Sequence, residues 1–188
     1  MLNTNTNTET ETATATTAIY VACLSSYNAG RLHGAWIDCD QDAESIGEEI
    51  ARMLVESPSP GAEEWAIHDQ AGFPDGAIGE LSTLEELVEI EEAIREHGAA
   101  YRAARTICDD HGEAMAMVTD CYHGEHESGA TFAEHAAYEW GELSEHPPGA
   151  GSTLHRYIDF ERVWRGEYDC AGWCAVHDGP IVHIFSPG

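Results

Sequence analysis

The absence of lysine, combined with a large excess of acidic residues, constrains this chain more than any other feature of its sequence. Eight arginines face 35 aspartates and glutamates, so the 188 residues carry a formal net charge of −27. Nucleic acids and anionic lipids are bound through cations that neutralise phosphates, and a strongly negative surface repels them over a Debye length. We therefore expect no direct nucleic-acid binding and no membrane association. The expected partner is a basic surface, unless the acidity is an adaptation to high salt.

Several enzyme classes need a lysine that this chain lacks. A P-loop NTPase and a protein kinase each place a lysine on the nucleotide phosphates, and Schiff-base enzymes need a primary amine. The segment NAGRLHG at 28–34 has the glycines of a phosphate-binding loop, but neither its spacing nor its lysine. These three functions are therefore excluded.

The N-terminal segment and the length of the apolar runs indicate the cellular compartment of the protein. Residues 1–18 are rich in Thr, Asn and Glu, which is typical of a disordered tail and unlike a signal peptide. No apolar run approaches the roughly 18 residues that a transmembrane helix requires. We therefore expect a cytoplasmic protein whose six cysteines are mostly reduced thiols.

Residues 19–80 are predicted to form a small N-terminal α+β domain. Alternating apolar residues begin at Ile19, and the segment SYNAGRLHG at 26–34 predicts a turn or loop. A helix is predicted over 43–56, with Asp42 as its cap and a stop at the proline-rich segment that follows. The predicted strands are 19–23, 35–40 and 64–69.

Residues 81–121 are predicted to form an acidic, helical middle domain. Its clearest helix covers 82–98, where Ser82 and Glu85 match a capping box and Gly98 matches a helix stop. Two further helices are predicted near 99–108 and 112–120.

Residues 122–188 are predicted to form a C-terminal α+β domain. Thr131 and Glu134 match the start of a helix, and a hairpin is predicted with its turn at Asp178–Gly179. A short helix is expected within 157–168. The expected fold class is therefore α+β, in a chain of three small domains that follow a disordered tail.

A stripe of carboxylates is predicted on the helix over 82–98. Glu85, Glu89, Glu92 and Glu96 are spaced by four, three and four residues, opposite the apolar face. Like charges at these spacings cost roughly 0.2–0.5 kcal/mol per pair, so the pattern does not serve helix stability alone. The steps of roughly 4.5–6 Å along the axis are comparable to the ~3.4 Å between phosphates of one DNA strand. Glu91, in contrast, lies within the apolar arc, and the sequence gives no reason for it.

Acidic residues are also concentrated along the chain. From Asp38 to Glu92 there are 17 acidic residues and one arginine, and from Asp109 to Glu145 there are ten and no arginine. Long anionic surfaces of this kind suit a protein that imitates a polyanion. The second group contributes the further candidates Asp109, Asp110 and Glu113.

Two clusters of cysteine and histidine could bind a metal ion. Neither contains the paired Cys-x-x-Cys that is typical of zinc sites, so we expect no metal and no cofactor. A small metal-dependent hydrolase nevertheless stays open as an alternative. The clusters comprise Cys108, His111, Cys121, His123 and His126 in the first, and Cys170, Cys174, His177 and His183 in the second.

The segment IYVACLSSYNAGRLHGAWID at 19–38 closely resembles the start of the ArdA antirestriction family. A second segment, YIDFERVWRGEY at 157–168, resembles a recurrent Tyr-Ile-Asp and aromatic segment of that family. The similarity extends from about Ile19 to Phe185. The residues that carry the first motif are Tyr27, Asn28, Gly30, Gly34, Trp36 and Asp38, and we interpret them as scaffold around a tight connection between strands.

The resemblance implies a DNA mimic that is encoded by a mobile genetic element. Members of the family are elongated homodimers, joined through their C-terminal domains, whose carboxylates replace phosphates in the DNA-binding groove of type I restriction-modification enzymes. Two copies of this chain would carry 2 × −27 = −54 charges. Duplex DNA of the same charge spans roughly 90 Å at one charge per ~1.7 Å, a length that suits an elongated dimer.

The sequence thus predicts an inhibitor without catalytic residues, which contacts its target through Glu85, Glu89, Glu92 and Glu96, and secondarily through Asp109, Asp110 and Glu113. The two alternatives make different predictions. A metal-dependent hydrolase would retain stoichiometric metal after purification. A salt-adapted binding protein would unfold at low ionic strength and show no preference for basic grooves.

Overall fold

The computed structural model describes residues 16–141, Leu143 and residues 157–188. Their contacts form two compact units, with the division between Arg95 and Glu96. Each unit combines helices with a three-stranded antiparallel sheet, which confirms the α+β class. The three-domain layout stays a prediction. Residues 1–15 of the predicted tail lie outside the described residues, whereas its last residue, Ala18, begins a strand.

The sheet of the first unit comes from alternating apolar residues. Strand β1 (Ala18–Cys23) lies between β2 (Gly34–Asp38) and β3 (Trp65–Ala71), and both neighbours are antiparallel to it. The pairing with β3 is irregular between Tyr20 and Val21. All three predicted strands are thus confirmed, with boundaries shifted by at most two residues.

Helix α2 (Ala43–Val55) covers this sheet and confirms the predicted helix to within one residue. Its apolar face supplies Ile46 and Ile50 to the core, where they are buried together with residues of β1 and β2. The backbone N–H of Ser45 donates to the carboxylate of Asp42 at 2.8 Å, so Asp42 is the predicted N-cap.

The connection between β1 and β2 differs from the predicted turn. It begins with one short helix, α1 (Leu24–Asn28), and becomes irregular after it. Gly30 follows with a φ of 73°, in the left-handed region that favours glycine. At Gly34 a Cβ atom would lie 2.4 Å from the carbonyl oxygen of Val21, so the close approach of the strands requires glycine. The scaffold interpretation of the two glycines is consistent with this geometry.

Helix α3 (Leu84–Arg105) is interrupted at Gly98, whose φ of 53° and ψ of −122° are not helical. Gly98 therefore ends the first helical segment, as the sequence predicts. The predicted capping box was wrong by one residue. The backbone N–H of Glu86 donates to the hydroxyl of Thr83 at 3.2 Å, and the N–H of Thr83 donates to the carboxylate of Glu86 at 3.0 Å. Ser82 and Glu85 do not form the pair.

In the second unit, helix α4 (His111–Asp120) precedes a sheet of β4 (Tyr122–His126), β5 (Cys174–Asp178) and β6 (Ile181–Phe185). The strand order is β4-β6-β5, and both pairs are antiparallel. Helix α5 (Gly129–Glu139) packs Phe132 and Ala136 against Val182 and Ile184 of β6 in a shared core cluster. The remaining elements are α6 (Phe160–Val163), a π-helical turn at Trp164–Tyr168 and a 3₁₀ turn at Asp169–Ala171.

The structure confirms the predicted hairpin of the second unit and corrects two other details. Asp178 pairs with Ile181 at the end of the hairpin, and Gly179 has a φ of 58°. Strand β4 was not predicted. Helix α5 begins earlier than predicted, because its capping box is formed by Ser128 and Thr131 rather than by Thr131 and Glu134.

Within residues 16–141 and 157–188, no helix is both long enough and apolar enough to cross a membrane.

We predict that Gly34→Ala lowers the free energy of unfolding by about 1–3 kcal/mol, because the added methyl group collides with the backbone of β1. Gly79→Ala is the control, since its Cβ atom would meet nothing within 4 Å and should change stability by less than about 0.5 kcal/mol. Urea denaturation of both variants measures the difference. Equal effects of the two substitutions would contradict this role of Gly34.

Candidate partner-binding acidic surface

The first segment of α3 separates an apolar face from a face of carboxylates. Leu87, Ile90 and Ile94 are buried and fix the helix on the core of the unit. Because residues spaced by three and four lie on one side of a helix, Glu85, Glu89 and Glu92 share another side, and all three are exposed. The structure thus exposes the predicted stripe on a helix that is anchored by its opposite face.

Glu96, the fourth predicted position, is the first residue of the second unit. Its side chain is 75% exposed, and its carboxylate lies 4.0 Å from Nε2 of His97. The position of the capping box at the start of α3 determines the environment of Glu85, the first residue of the stripe. Because Glu86 forms the capping box, Glu85 is not used as a cap and projects into solvent.

A cleft of about 250 Å³ adjoins this face within the first unit. It brings the start of α2, and the residues before it, next to α3, so that carboxylates from separate parts of the sequence line one depression. Asp40 and Asp42 were not among the carboxylates predicted from the sequence. The lining residues are Asp40, Gln41, Asp42, Val88, Glu91, Glu92 and Arg95.

Glu91 is the unusual member of this cleft, because its side chain is only 9% exposed. Burial raises the pKa of the Glu91 carboxyl, and the nearby guanidinium of Arg95 acts in the opposite direction. Arg95 donates from Nη1 to the Glu91 carboxylate at 3.2 Å. The pairing with Arg95 explains how an acidic residue is accommodated within the apolar arc of α3.

Arg95 also lies near the exposed stripe. Its Nη2 atom is 3.8 Å from the carboxylate of Glu92, and both side chains are more than half exposed. Exposed pairs of this kind contribute little, because water screens them. On the opposite wall, the backbone N–H of Ser45 lowers the pKa of the Asp42 carboxyl, which keeps that exposed group ionised. The cleft therefore remains negatively charged around one partly neutralising arginine.

The secondary candidates lie in the second unit, at the start of α4. Asp109, Asp110 and Glu113 are all exposed. Asp110 has a structural role, because its carboxylate accepts a hydrogen bond from the backbone N–H of Glu113 at 2.8 Å and caps α4. Replacing Asp110 would therefore affect stability as well as charge, which makes Asp109 and Glu113 the better test positions.

The motif residues at 27–38 lie in and after the connection between β1 and β2. Tyr27 contacts the ring of His68 with 4.8 Å between centroids, and Trp36 contacts Tyr20 at 5.6 Å. Both side chains are about half exposed, so they form part of the surface rather than the core. Asn28 ends α1, and Asp38 ends β2 with its side chain exposed.

The cysteines and histidines of the two metal candidates are used mainly in packing and hydrogen bonds. His111 Nδ1 lies 2.9 Å from the hydroxyl of Tyr101, and His183 Nδ1 lies 3.0 Å from the hydroxyl of Tyr122. The ring of His123 packs on Trp173 at 4.7 Å. Among the residues that the structure describes, no three His, Cys, Asp or Glu side chains are placed to hold a metal ion.

The remaining cysteines and histidines of these two clusters differ in solvent exposure. Cys121 is buried, Cys170 is exposed, and Cys108 and Cys174 are intermediate. Burial and the neighbouring carboxylates raise the pKa of the Cys108 thiol. His126 lies against the backbone carbonyl of His123 at 3.2 Å, whereas His177 is exposed on β5.

Fold and surface together define a small, strongly acidic α+β protein that displays carboxylates along an anchored helix. The family model described as antirestriction protein (ArdA) matches residues 19–173, which is most of the chain. The chain therefore belongs to the ArdA family of antirestriction proteins, which inhibit restriction-modification enzymes. A search of curated proteins gives no match.

We predict that the free energy of unfolding of the Glu91→Gln variant increases relative to that of the wild type as the pH rises from about 4 to 7. The folded-state pKa of Glu91 is raised above its ordinary value, so the folded wild type binds more protons than the unfolded chain in this window. The contribution of the Glu91 carboxyl to the stability of the wild type therefore decreases as the pH rises, whereas glutamine does not titrate.

Urea denaturation at several pH values measures this difference, with Glu89→Gln as a control at an exposed position of the same helix. A constant difference in unfolding free energy between Glu91→Gln and the wild type, from pH 4 to pH 7, would contradict the assignment.

Proposed function

We propose that this protein inhibits type I restriction-modification enzymes by occupying the DNA-binding groove of their methyltransferase core. Its surface carboxylates take the positions of DNA phosphates, and the active species is a cytoplasmic homodimer. The family membership supports inhibition of restriction-modification enzymes, and the acidic surface supports the manner of inhibition.

The observation that carries the proposal is the exposed stripe of Glu85, Glu89 and Glu92 in the first unit, and Glu96 of the second unit is exposed as well. Their axial spacing of roughly 4.5–6 Å follows from the helical rise of about 1.5 Å per residue. A helix fixed by buried Leu87 and Ile90 holds these charges in place before binding. Such preorganisation reduces the entropy that is lost when the groove engages them.

The charge of −27 has a kinetic consequence as well. A basic groove attracts this surface over a long range, so association should be steered electrostatically and slowed by salt. Binding also releases the counterions that screen the groove when DNA is absent. Because many exposed carboxylates contribute, the affinity is distributed, and removing one of them should have little effect.

We predict that the combined variant Glu85→Gln, Glu89→Gln, Glu92→Gln and Glu96→Gln binds a type I methyltransferase much more weakly than the wild type. Each exposed charge pair contributes roughly 0.2–1 kcal/mol. Four together contribute about 0.8–4 kcal/mol, which is roughly a 4- to 700-fold loss of affinity. Each single variant should lose less than about sixfold.

The matched control removes four charges from exposed residues of the first unit outside the stripe. It consists of Glu63→Gln, Glu64→Gln, Asp75→Asn and Glu80→Gln. Titration at several salt concentrations should show a smaller loss of affinity for the control and a shallower salt dependence for the stripe variant. If both variants lose the same affinity, net charge rather than the stripe determines binding, and the proposed arrangement is wrong.

A further inference from the structure

One face of the sheet in the first unit carries a pair of aromatic side chains. Tyr20 of β1 is directly opposite Trp36 of β2, and their ring centroids are 5.6 Å apart. Their neighbours along the strands, Ile19, Val21 and Ile37, are buried, whereas Trp36 is 52% exposed. Because successive side chains of a strand point to opposite faces, the two rings lie on the outer face of the sheet, away from the core.

Gly34 allows the ring of Tyr20 to lie directly over the neighbouring strand. A Cβ atom at this position would be 2.8 Å from the hydroxyl oxygen of Tyr20 and 2.9 Å from its Cζ atom. The missing side chain therefore leaves room for the ring. Trp36 follows two residues further along β2 and packs beside the same ring. The segment around Gly34 and Trp36 thus builds an ordered aromatic surface as well as a connection between strands.

Two carboxylates lie on this outer face next to the aromatic rings. Asp69 of β3 is directly opposite Tyr20, and Asp38 follows Trp36 by two residues on β2. Opposite residues of paired strands, and residues two apart on one strand, have their side chains on the same face. Both aspartates are exposed. In the described part of the chain, neither of them forms an ion pair.

Small residues occupy the adjoining row of the outer face. Ala18 of β1 pairs with Asp38 on one side and with Ala71 on the other, so no large side chain of the sheet stands between the two carboxylates. His68 is the only basic residue of the three strands. Its ring packs edge-on against Tyr27 of α1, with 4.8 Å between centroids. The outer face therefore combines an exposed indole with carboxylates that lack a cationic partner among the described residues.

The acidic surface around the cleft continues to this face. Asp38 ends β2 and is followed by Asp40 and Asp42, which line the cleft together with Glu92 of the stripe. Cys39 is buried between Asp38 and Asp40, both of which are exposed. A basic partner surface that extends past the cleft along this segment would therefore meet the aromatic rings.

We propose that the outer face of this sheet binds an arginine side chain of the restriction-modification enzyme that the acidic surface engages. The guanidinium group stacks on the exposed indole of Trp36 and pairs with Asp38, while Asp69 adds to the negative potential of the face. Charge complementarity selects this occupant, because an aromatic face beside carboxylates attracts a cation. Arginine suits it better than lysine, since a planar guanidinium can stack and donate hydrogen bonds at the same time.

This inference rests on the proposed function and adds a contact that the replacement of phosphates by carboxylates does not supply. A cross-strand aromatic pair also stabilises a sheet by itself. That structural role predicts lower stability for variants of Trp36 but unchanged binding by the folded protein. Measuring both quantities therefore separates the two roles.

The test titrates Trp36→Leu and Trp36→Phe against a type I methyltransferase at several salt concentrations, after urea denaturation has shown that each variant is folded. Trp36→Leu should weaken binding about two- to thirtyfold, which is the range of cation–π attraction from exposed to desolvated sites. Trp36→Phe keeps an aromatic face and should lose less. The slope of log K against log salt should stay as in the wild type, because no charge is changed.

Tyr157→Leu is the control, since this aromatic side chain is 82% exposed and lies outside the first unit. It should bind as the wild type does. A double-mutant cycle of Trp36→Leu with Asp38→Asn tests whether one cation contacts both side chains. The combined loss of affinity should be smaller than the product of the two single losses, whereas Trp36→Leu with Asp75→Asn should give the product.

Wild-type affinity of Trp36→Leu at every salt concentration would overturn the arginine-binding proposal. Equal losses for Trp36→Leu and Trp36→Phe would also overturn it, because the aromatic face would then be irrelevant. The proposed function would survive either result if the stripe variant were still impaired. Reduced self-association of Trp36→Leu at unchanged target affinity would assign the face to a second copy of the chain and would overturn the proposal. If the wild type itself does not bind the methyltransferase, both proposals fail.

Discussion

Repulsion between carboxylates is the constraint on which the rest of this structure depends. A chain of 188 residues with a net charge of −27 stays folded only if apolar packing outweighs that repulsion. On α3 the two effects meet within a few residues, since Leu87, Ile90 and Ile94 are buried directly beneath a face of exposed glutamates. Neutralising carboxylates on this face should therefore stabilise the fold while weakening the interaction with a basic partner. The proposed binding to a basic groove would account for such an arrangement.

Glu91 shows how closely these demands are combined. Its carboxylate is buried in the packed arc of α3 and is held by Arg95, which also approaches Glu92. One arginine thus compensates a buried charge and moderates the repulsion within the cleft.

Local patterns in the sequence predict much of the fold. Helix α2 follows from its apolar spacing and from Asp42, and the break of α3 follows from Gly98, because both depend on neighbouring residues. The capping box of α3 was misplaced because Ser82 with Glu85 and Thr83 with Glu86 match the same pattern one residue apart.

Features that depend on distant residues could not be predicted in the same way. Strand β4 (YHGEH) contains no β-branched residue, and it is a strand because it pairs with β6 from the other end of the unit. The stripe itself is local and was predicted, whereas the cleft was not predicted, because it depends on the segment before α2 lying next to α3. The contact of His33 Nε2 with the carbonyl oxygen of Met53 likewise joins residues 20 apart in the sequence.

Competition with DNA for one enzyme tests the central claim most directly. A type I methyltransferase is saturated with a fluorescent duplex that contains its recognition sequence, and the protein is added at moderate salt while anisotropy is recorded. If carboxylates replace phosphates in the groove, the apparent Kd for DNA should rise linearly with the concentration of the protein, without reaching a limit. A duplex that stays bound, or a ternary complex that forms at saturating protein, would contradict the account.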